Sequence, residues 1–276
     1  MQPIPERILP ARPALVAQST SAPFGTYPDL AGKVAVVTGG SRGLGAATAG
    51  ALAQNGVTVV VVGRDERALA ATVDTITGRG GSAFGQPADC TSEADLEALR
   101  TLVSDRFGRL DVLAAFAGGD GMPVPTLEET AAHWRRVLES DLTSTFLTVS
   151  ALLPLMVAQH SGAVVTMASS AARQAARSSA AYAAAKSGVI AFSRHLAGEV
   201  AGHGIRVNCL APSSTENDRM RSAMSADDRR RLGQTFPLGR IGQPQDVAAA
   251  ALFLSSAASS WITGVTLDIA GGKVMP

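Results

Sequence analysis

The stretch Lys33-Val34-Ala35-Val36-Val37-Thr38-Gly39-Gly40-Ser41-Arg42-Gly43-Leu44-Gly45 decides the fold. A short β-branched apolar run stops at a glycine cluster, and an Ala-rich helical pattern opens near residue 43. An apolar run of this kind fits a strand covered on both faces. Glycines let the chain turn tightly and let its backbone approach a ligand closely. The free N–H groups of a helix start, aided by its dipole, favour a negative charge such as a pyrophosphate. The spacing is Gly39-x-x-x-Gly43-x-Gly45, which departs from the general GxGxxG fingerprint. The loop therefore reads as a dinucleotide site only if a strand precedes it and βαβ units follow.

They do. Working outward, apolar strand patterns fall at 33–38, 57–62, 82–87, 110–116, 163–168, 205–210 and 266–269. Helical patterns lie between them near 43–55, 65–78, 92–107, 127–158, 179–202, 221–232 and 244–257. Such alternation predicts an α/β fold: a doubly wound parallel sheet of about seven strands flanked by helices, the Rossmann arrangement. No internal repeat and no break divides 31–276, which reads as one catalytic domain. Residues 1–30 differ: Pro3, Pro5, Pro10, Pro13, Pro23 and Pro28 interrupt any regular element, and the stretch lacks a signal peptide's pattern. It reads as an arm, either flexible or laid over a neighbouring subunit.

Composition narrows the function. The 276 residues carry 24 Lys+Arg against 23 Asp+Glu, a net charge of +1. That gives no field to gather nucleic acid or a membrane surface. No apolar run approaches the ~18–20 residues a bilayer requires. Cys90 and Cys209 stand alone, so neither a disulfide framework nor a cysteine zinc site is expected, and a reducing cytoplasm fits. His133, His160, His195 and His203 lack metal-ligand spacing, so no metal is expected. Charged residues make up only 17% and aromatics 4%, which implies a chain that buries much of its surface in itself or in copies of itself.

The second strand pattern ends at Gly63-Arg64. An acid here would bind a ribose 2′-OH, whereas an Arg accommodates a 2′-phosphate. Gly63 takes the acid's place, Arg64 follows, and Arg42 reaches toward the same point from the glycine loop. This favours NADP(H) over NAD(H); the other reading makes Arg64 a solvated helix-start residue and gives the ribose to Asp65. Further on, Tyr182-Ala183-Ala184-Ala185-Lys186 sets a phenol and an ammonium on one helix face. A phenol is a poor acid or base at neutral pH, and a nearby ammonium favours its phenolate.

With these motifs the chain resembles the short-chain dehydrogenase/reductase family over roughly 30–276. The resemblance includes the glycine loop, Asp89 after the third strand and Ala115-Phe116-Ala117-Gly118-Gly119 after the fourth. It continues through Ser169-Ser170, Tyr182-x-x-x-Lys186, Ile205-Arg206-Val207-Asn208 leading to Pro212, and Pro237-Leu238-Gly239-Arg240. It implies an oxidoreductase that interconverts a ketone or aldehyde and an alcohol by hydride transfer, with a biosynthetic ketone as one substrate class. Tyr182 would be the acid/base, Lys186 would lower its pKa and hold the nicotinamide ribose, and Ser169 would polarise the substrate oxygen, with Ser170 as the alternative. Gly39, Ser41, Arg42, Gly43, Leu44, Gly45, Arg64, Asp89, Cys90, Ala117, Gly118 and Pro212 would join Tyr182 and Lys186 in holding the cofactor. The family also implies a homotetramer, joined through the two long helices and the last strand. The rival reading is a family member that binds cofactor but serves as a sensor, scaffold or non-redox catalyst.

Three positions depart from the family's pattern. Asp141, in Asp141-Leu142-Thr143-Ser144-Thr145-Phe146, stands where an Asn is usual. If ionised beside Lys186 it would offset part of the positive field on Tyr182; in the other reading it merely bonds backbone. Ala115-Phe116 replaces an Asn-Asn pair that braces the sheet, and Pro212-Ser213 replaces Pro-Gly. Substrate selectivity is expected in 173–178 and in a lid over 213–235. Arg173, Arg177, Arg219 and Arg221 there read either as solvated charges or as contacts for an anionic substrate.

Overall fold

The computed structural model describes residues 24–275. Seven parallel strands form one sheet in the order β3-β2-β1-β4-β5-β6-β7. They are β1 (Val34–Thr38), β2 (Thr58–Gly63), β3 (Ser82–Pro87), β4 (Val112–Ala115), β5 (Gly162–Met167), β6 (Ile205–Pro212) and β7 (Thr266–Ile269). Alternate residues of each strand serve opposite faces. Ala35, Val37, Val59 and Val61 pack on one side with α1 (Gly43–Gln54), α2 (Glu66–Thr77) and α9 (Pro244–Ser255). Val36, Val60, Val62 and Leu113 pack on the other with α3 (Glu93–Phe107), α5 (Ser144–Gln159) and α6 (Ala180–Val200). All five residues of β1 are buried, as two-sided cover requires.

Two expected helices come out differently. The pattern over 127–158 is α4 (Ala131–Leu138), one π-helical turn (Glu139–Thr143) and α5. Thr130 caps α4 through the His133 N–H, so the helix starts later than the pattern suggested. Between Val137 and Val149 the buried positions are the polar Asp141, Ser144, Thr145 and Thr148, so no apolar stripe marks the π turn. The pattern over 221–232 is two short helices, α7 (Asp218–Ala223) and α8 (Ala226–Gln234), divided where Ser225 caps the second. The continuous stretch Ala131–Gln159 is long and apolar enough to cross a membrane by length and composition, more than the sequence reading allowed. Here Val149, Leu152 and Met156 from this stretch pack in the core beside α3 and the sheet.

The arm expected over 1–30 is tied down at its end. The Tyr27 N–H donates to Asn55 Oδ1 at 2.7 Å, Asp29 accepts the Ala257 N–H at 2.8 Å, and Leu30 is in the core. The rest of the arm, 1–23, lies outside the described residues. At the N-terminal edge of the sheet Asp111 accepts the Val34 N–H at 2.9 Å and pairs with Arg109 and Lys33. Burial pushes its carboxyl up, but Arg109, the Val34 N–H and Lys33 together outweigh it and hold it below the usual value. This staple leaves the opposite edge, the carboxyl ends of the strands, for the site.

Candidate active site

The chain winds outward from β1 to β3 and then from β4 to β7, so the strand order reverses between β1 and β4. In open α/β sheets ligands bind at the carboxyl ends of the strands beside this switch point. The glycine loop lies there. Gly39 has φ +62, and a Cβ on it would meet the Phe116 carbonyl at 2.8 Å. A Cβ on Gly45 would stand 2.2 Å from the Gly39 carbonyl oxygen, so helix α1 can pass this close only as glycine. Asp65, Ser92, Thr130 and Ser179 cap α2, α3, α4 and α6 with their side chains, but Arg42, the N-cap of α1, makes no such bond. The start of α1, with Gly43 and Leu44, keeps its backbone donors for an anion, so this cradle fits a dinucleotide's pyrophosphate.

Arg42 pairs with Asp65, and both side chains are exposed, at 63% and 44%. The Ala68 N–H and the Arg42 guanidinium hold the Asp65 carboxyl below its usual range. Arg64, 80% exposed, lies 3.7 Å from Asp89. Asp89 is held low mainly by the Thr91 N–H and hydroxyl, with Arg64 adding to them. A Cβ at Gly63 would fall 2.9 Å from Ser41 Oγ, so Ser41 sits where a side chain at 63 would start. Cys90 is buried, which pushes its thiol up. The Thr38 hydroxyl accepts the N–H groups of Phe116 and Ala117 at 3.0 and 3.2 Å, so Thr38 joins the ends of β1 and β4 without the missing Asn pair. Pro212 ends β6 on the same edge.

Across the crevice, Ser179 caps α6 by accepting the Tyr182 N–H, which puts Tyr182 in the first turn and Lys186 one turn on. Lys186 donates to the Met167 carbonyl and pairs with Asp141 Oδ1, both at 3.1 Å. The Lys186 and Asp141 side chains are 3% and 0% exposed. Lys186 Nζ lies 5.7 Å from the Tyr182 ring centroid. Ser169 follows β5 by two residues, and its Oγ accepts the Ala171 N–H at 3.2 Å. That leaves its hydroxyl proton free to donate. Ser170 is buried in the turn.

Asp141 both pairs with Lys186 and bonds backbone. Beyond Lys186 it accepts the Gly119 N–H at 2.6 Å, the Ser140 hydroxyl at 2.7 Å and the Asp120 N–H at 3.3 Å. Gly118, with φ +118, has no room for a side chain: a Cβ would meet Asp141 Oδ1 at 2.8 Å. Sequence reasoning missed Thr38, Gly119, Asp120, Ser140 and Met167. Only the Gly118-Gly119 pair gave any signal, since the rest act through backbone or a common hydroxyl. Of the loop arginines, Arg173 is taken by Asp268 at 3.0 Å and Arg221 by Asp218 at 2.9 Å. The Arg173 pair is largely covered, whereas the Arg221 pair stands in solvent as the pairs of Arg42 and Arg64 do. Among the described residues no cluster of metal-ligating side chains occurs.

A family model described as "Enoyl-(Acyl carrier protein) reductase" matches residues 39–273. A 3-oxoacyl-[acyl-carrier-protein] reductase of Chlamydia pneumoniae is 36% identical over 245 residues, covering 88% of this chain and 97% of its own. The chain belongs to the short-chain dehydrogenase/reductase family. It is an oxidoreductase of CH–OH and C=O groups that works with a nicotinamide dinucleotide. The 7alpha-hydroxysteroid dehydrogenase of Escherichia coli K12 is also 36% identical, covering 89% of this chain and 95% of its own. A solved structure of a 7 alpha-hydroxysteroid dehydrogenase, complexed with NADH and 7-oxo glycochenodeoxycholic acid, superposes with a TM-score of 0.83 at 34% identity. It covers 91% of this chain and 97% of its own. A short-chain type dehydrogenase/reductase from Mycobacterium marinum gives 0.84 at 31% identity, covering 90% and 98%.

Proposed function

We propose that this family member is an NADP(H)-dependent ketoreductase in which Tyr182 moves the proton. The observation that carries the reading is Lys186: a buried ammonium, fixed by Met167 and Asp141, 5.7 Å from the Tyr182 ring. The bound nicotinamide supplies the hydride or takes it back. Tyr182 gives its phenolic proton to the substrate oxygen in reduction and takes it up in oxidation. Ser169 donates a hydrogen bond to that oxygen and polarises the carbonyl. Lys186 has three donors and spends two on Met167 and Asp141, so one remains for the ribose or for Tyr182. Its charge steadies the phenolate.

The preference for NADP(H) rests on Arg42 and Arg64, two exposed guanidinium groups at the end of β2, and on Gly63 standing where an acid would exclude a phosphate. The names of the relatives support a ketone or secondary alcohol, a 3-oxoacyl thioester among them. The lid over 213–235 and the loop at 173–178 would select among these. We place the protein in the cytoplasm, where the free, buried Cys90 and Cys209 stay reduced. A homotetramer would cover Trp261, 99% exposed, together with Val265 and Leu267 near the β7 edge, and Trp134 and Phe146 on α4 and α5.

The test is nicotinamide absorbance with a panel of ketones. Wild type should turn over with NADPH, and Tyr182→Phe should lose about 10²–10⁴-fold in kcat. Cofactor affinity should hardly change. Tight cofactor binding with no turnover of any ketone or alcohol would return the protein to a non-redox role.

A further inference from the structure

We propose that Asp141 is a positioning residue that acts through its charge: it locks the Gly118–Asp120 segment to Lys186 and offsets the positive field that Lys186 places on Tyr182. This rests on Tyr182 being the proton-transfer group. The argument starts from donor counting. The four polar neighbours of the Asp141 carboxylate are the Lys186 ammonium, the Gly119 N–H, the Asp120 N–H and the Ser140 hydroxyl. All four are donors. A carboxylate accepts from all of them, whereas an amide that keeps its oxygen on Lys186 and the Gly119 N–H must turn its NH₂ toward the other two. Ser140 can adapt, because a hydroxyl also accepts; the Asp120 N–H cannot.

Placement agrees with chemistry. Asp141 lies at the middle of the π turn Glu139–Thr143, and such turns recur at functional sites. The segment it holds reaches Tyr182, since a Cβ on Gly121 would touch the phenol ring at 3.2 Å. A single buried carboxylate thus fixes both the segment beside Tyr182 and the ammonium that steadies its phenolate. Other charges near Tyr182 come from Glu129 and Asp120. Glu129 accepts the Ala181 N–H at 3.3 Å and pairs with His133 at 2.8 Å; Asp120 pairs with Arg136. Ser169, from the β5 side, is neutral. Glu129 and Ser169 do not touch Asp141, whereas Asp120 is held to it through its N–H.

The chain has two tyrosines, so Tyr27→Phe leaves Tyr182 as the only phenol, and its ultraviolet phenolate absorbance can be titrated without cofactor or turnover. In that background Asp141→Asn should lower the phenol midpoint by about one pH unit, the effect of removing one nearby negative charge. Amide hydrogen exchange at Asp120 should speed up together with it. Asp141→Glu keeps the charge but not the fit, so it should speed exchange while leaving the midpoint near that of the parent. An unmoved or raised midpoint in Asp141→Asn reduces Asp141 to a structural brace and overturns the charge role. A lowered midpoint with unchanged exchange overturns the lock. Should Asp141→Asn fail to fold, Asp141→Ser leaves room for a water among the same donors and carries the same titration. Ketone reduction surviving in Tyr182→Phe would defeat the proposed function instead, and the titration would show that separately.

Discussion

Arg42 and Arg64 on the β1–β3 side of the crevice meet their carboxylates in water, while Lys186 on the β4–β6 side meets Asp141 in the interior. The two sides use the same kind of pair for opposite ends. Exposed pairs are worth little and are readily exchanged, so Asp65 and Asp89 can yield the guanidinium groups to an arriving phosphate. A buried pair is costly to break, because either charge left alone has no water to turn to. It therefore stays fixed and can set the field on a proton-transfer group. The contrast teaches that one side is built to exchange partners and the other to keep them.

The largest expected effect breaks the fixed side. Lys186→Met leaves Asp141 buried without its counter-ion and should cost about 3–5 kcal/mol of stability. Urea unfolding would read it. Arg64→Met, made in the same way on the exposed side, should change stability by less than about 1 kcal/mol. The comparison is sharpened by Asp141→Asn combined with Lys186→Met, which should recover part of the loss since no charge is then stranded. Equal losses in Lys186→Met and Arg64→Met would remove the distinction between the two sides.

The contrast also marks how far sequence reading went. The sheet was legible because β1, β2, β4 and β5 are continuous apolar runs that only a two-sided parallel sheet can cover. The glycine loop was legible because Gly39 and Gly45 are forced by backbone approaches that leave no choice of residue. Tyr182 and Lys186 share one helix, so their spacing placed them together. Asp141 was legible as an anomaly but not as a junction. Its partners Gly119, Asp120, Ser140 and Lys186 come from three separate stretches of chain, and two of them offer only backbone atoms. Backbone donors carry no residue signature. The π turn that aims Asp141 escaped for a related reason: the buried positions across it, Asp141, Ser144, Thr145 and Thr148, carry no apolar stripe to read.

A middle-sized effect tests the exchangeable side. Replacing both Arg42 and Arg64 by Ala removes two charge-assisted contacts to a 2′-phosphate and should raise the KM for NADPH by about 10–100-fold. The KM for NADH should hardly move, and kcat should stay near its parent value. The difference should shrink with added salt, because both guanidinium groups are exposed. Parallel losses for the two cofactors would mean that the arginines act on the loop and not on the phosphate.

The smallest effect is the most pointed, since it should improve binding. Asp65 both caps α2 through the Ala68 N–H and holds Arg42. An incoming phosphate competes with it for that guanidinium. Asp65→Asn keeps a cap of nearly equal quality. It gives up the negative charge, so Arg42 is released and the repulsion of a phosphate is removed. NADPH should then bind about 2–5-fold tighter at low salt, the scale of a surface ion pair. Lowering the pH of the wild type should move it in the same direction. The Asp65 carboxyl is held below its usual range, so the gain should come only as the pH falls through that lowered value. The variant should show no such dependence from this residue. Weaker NADPH binding in Asp65→Asn would mean that Asp65 presents Arg42 to the phosphate and does not compete with it, and the β1–β3 side would then be as fixed in design as the side that holds Lys186.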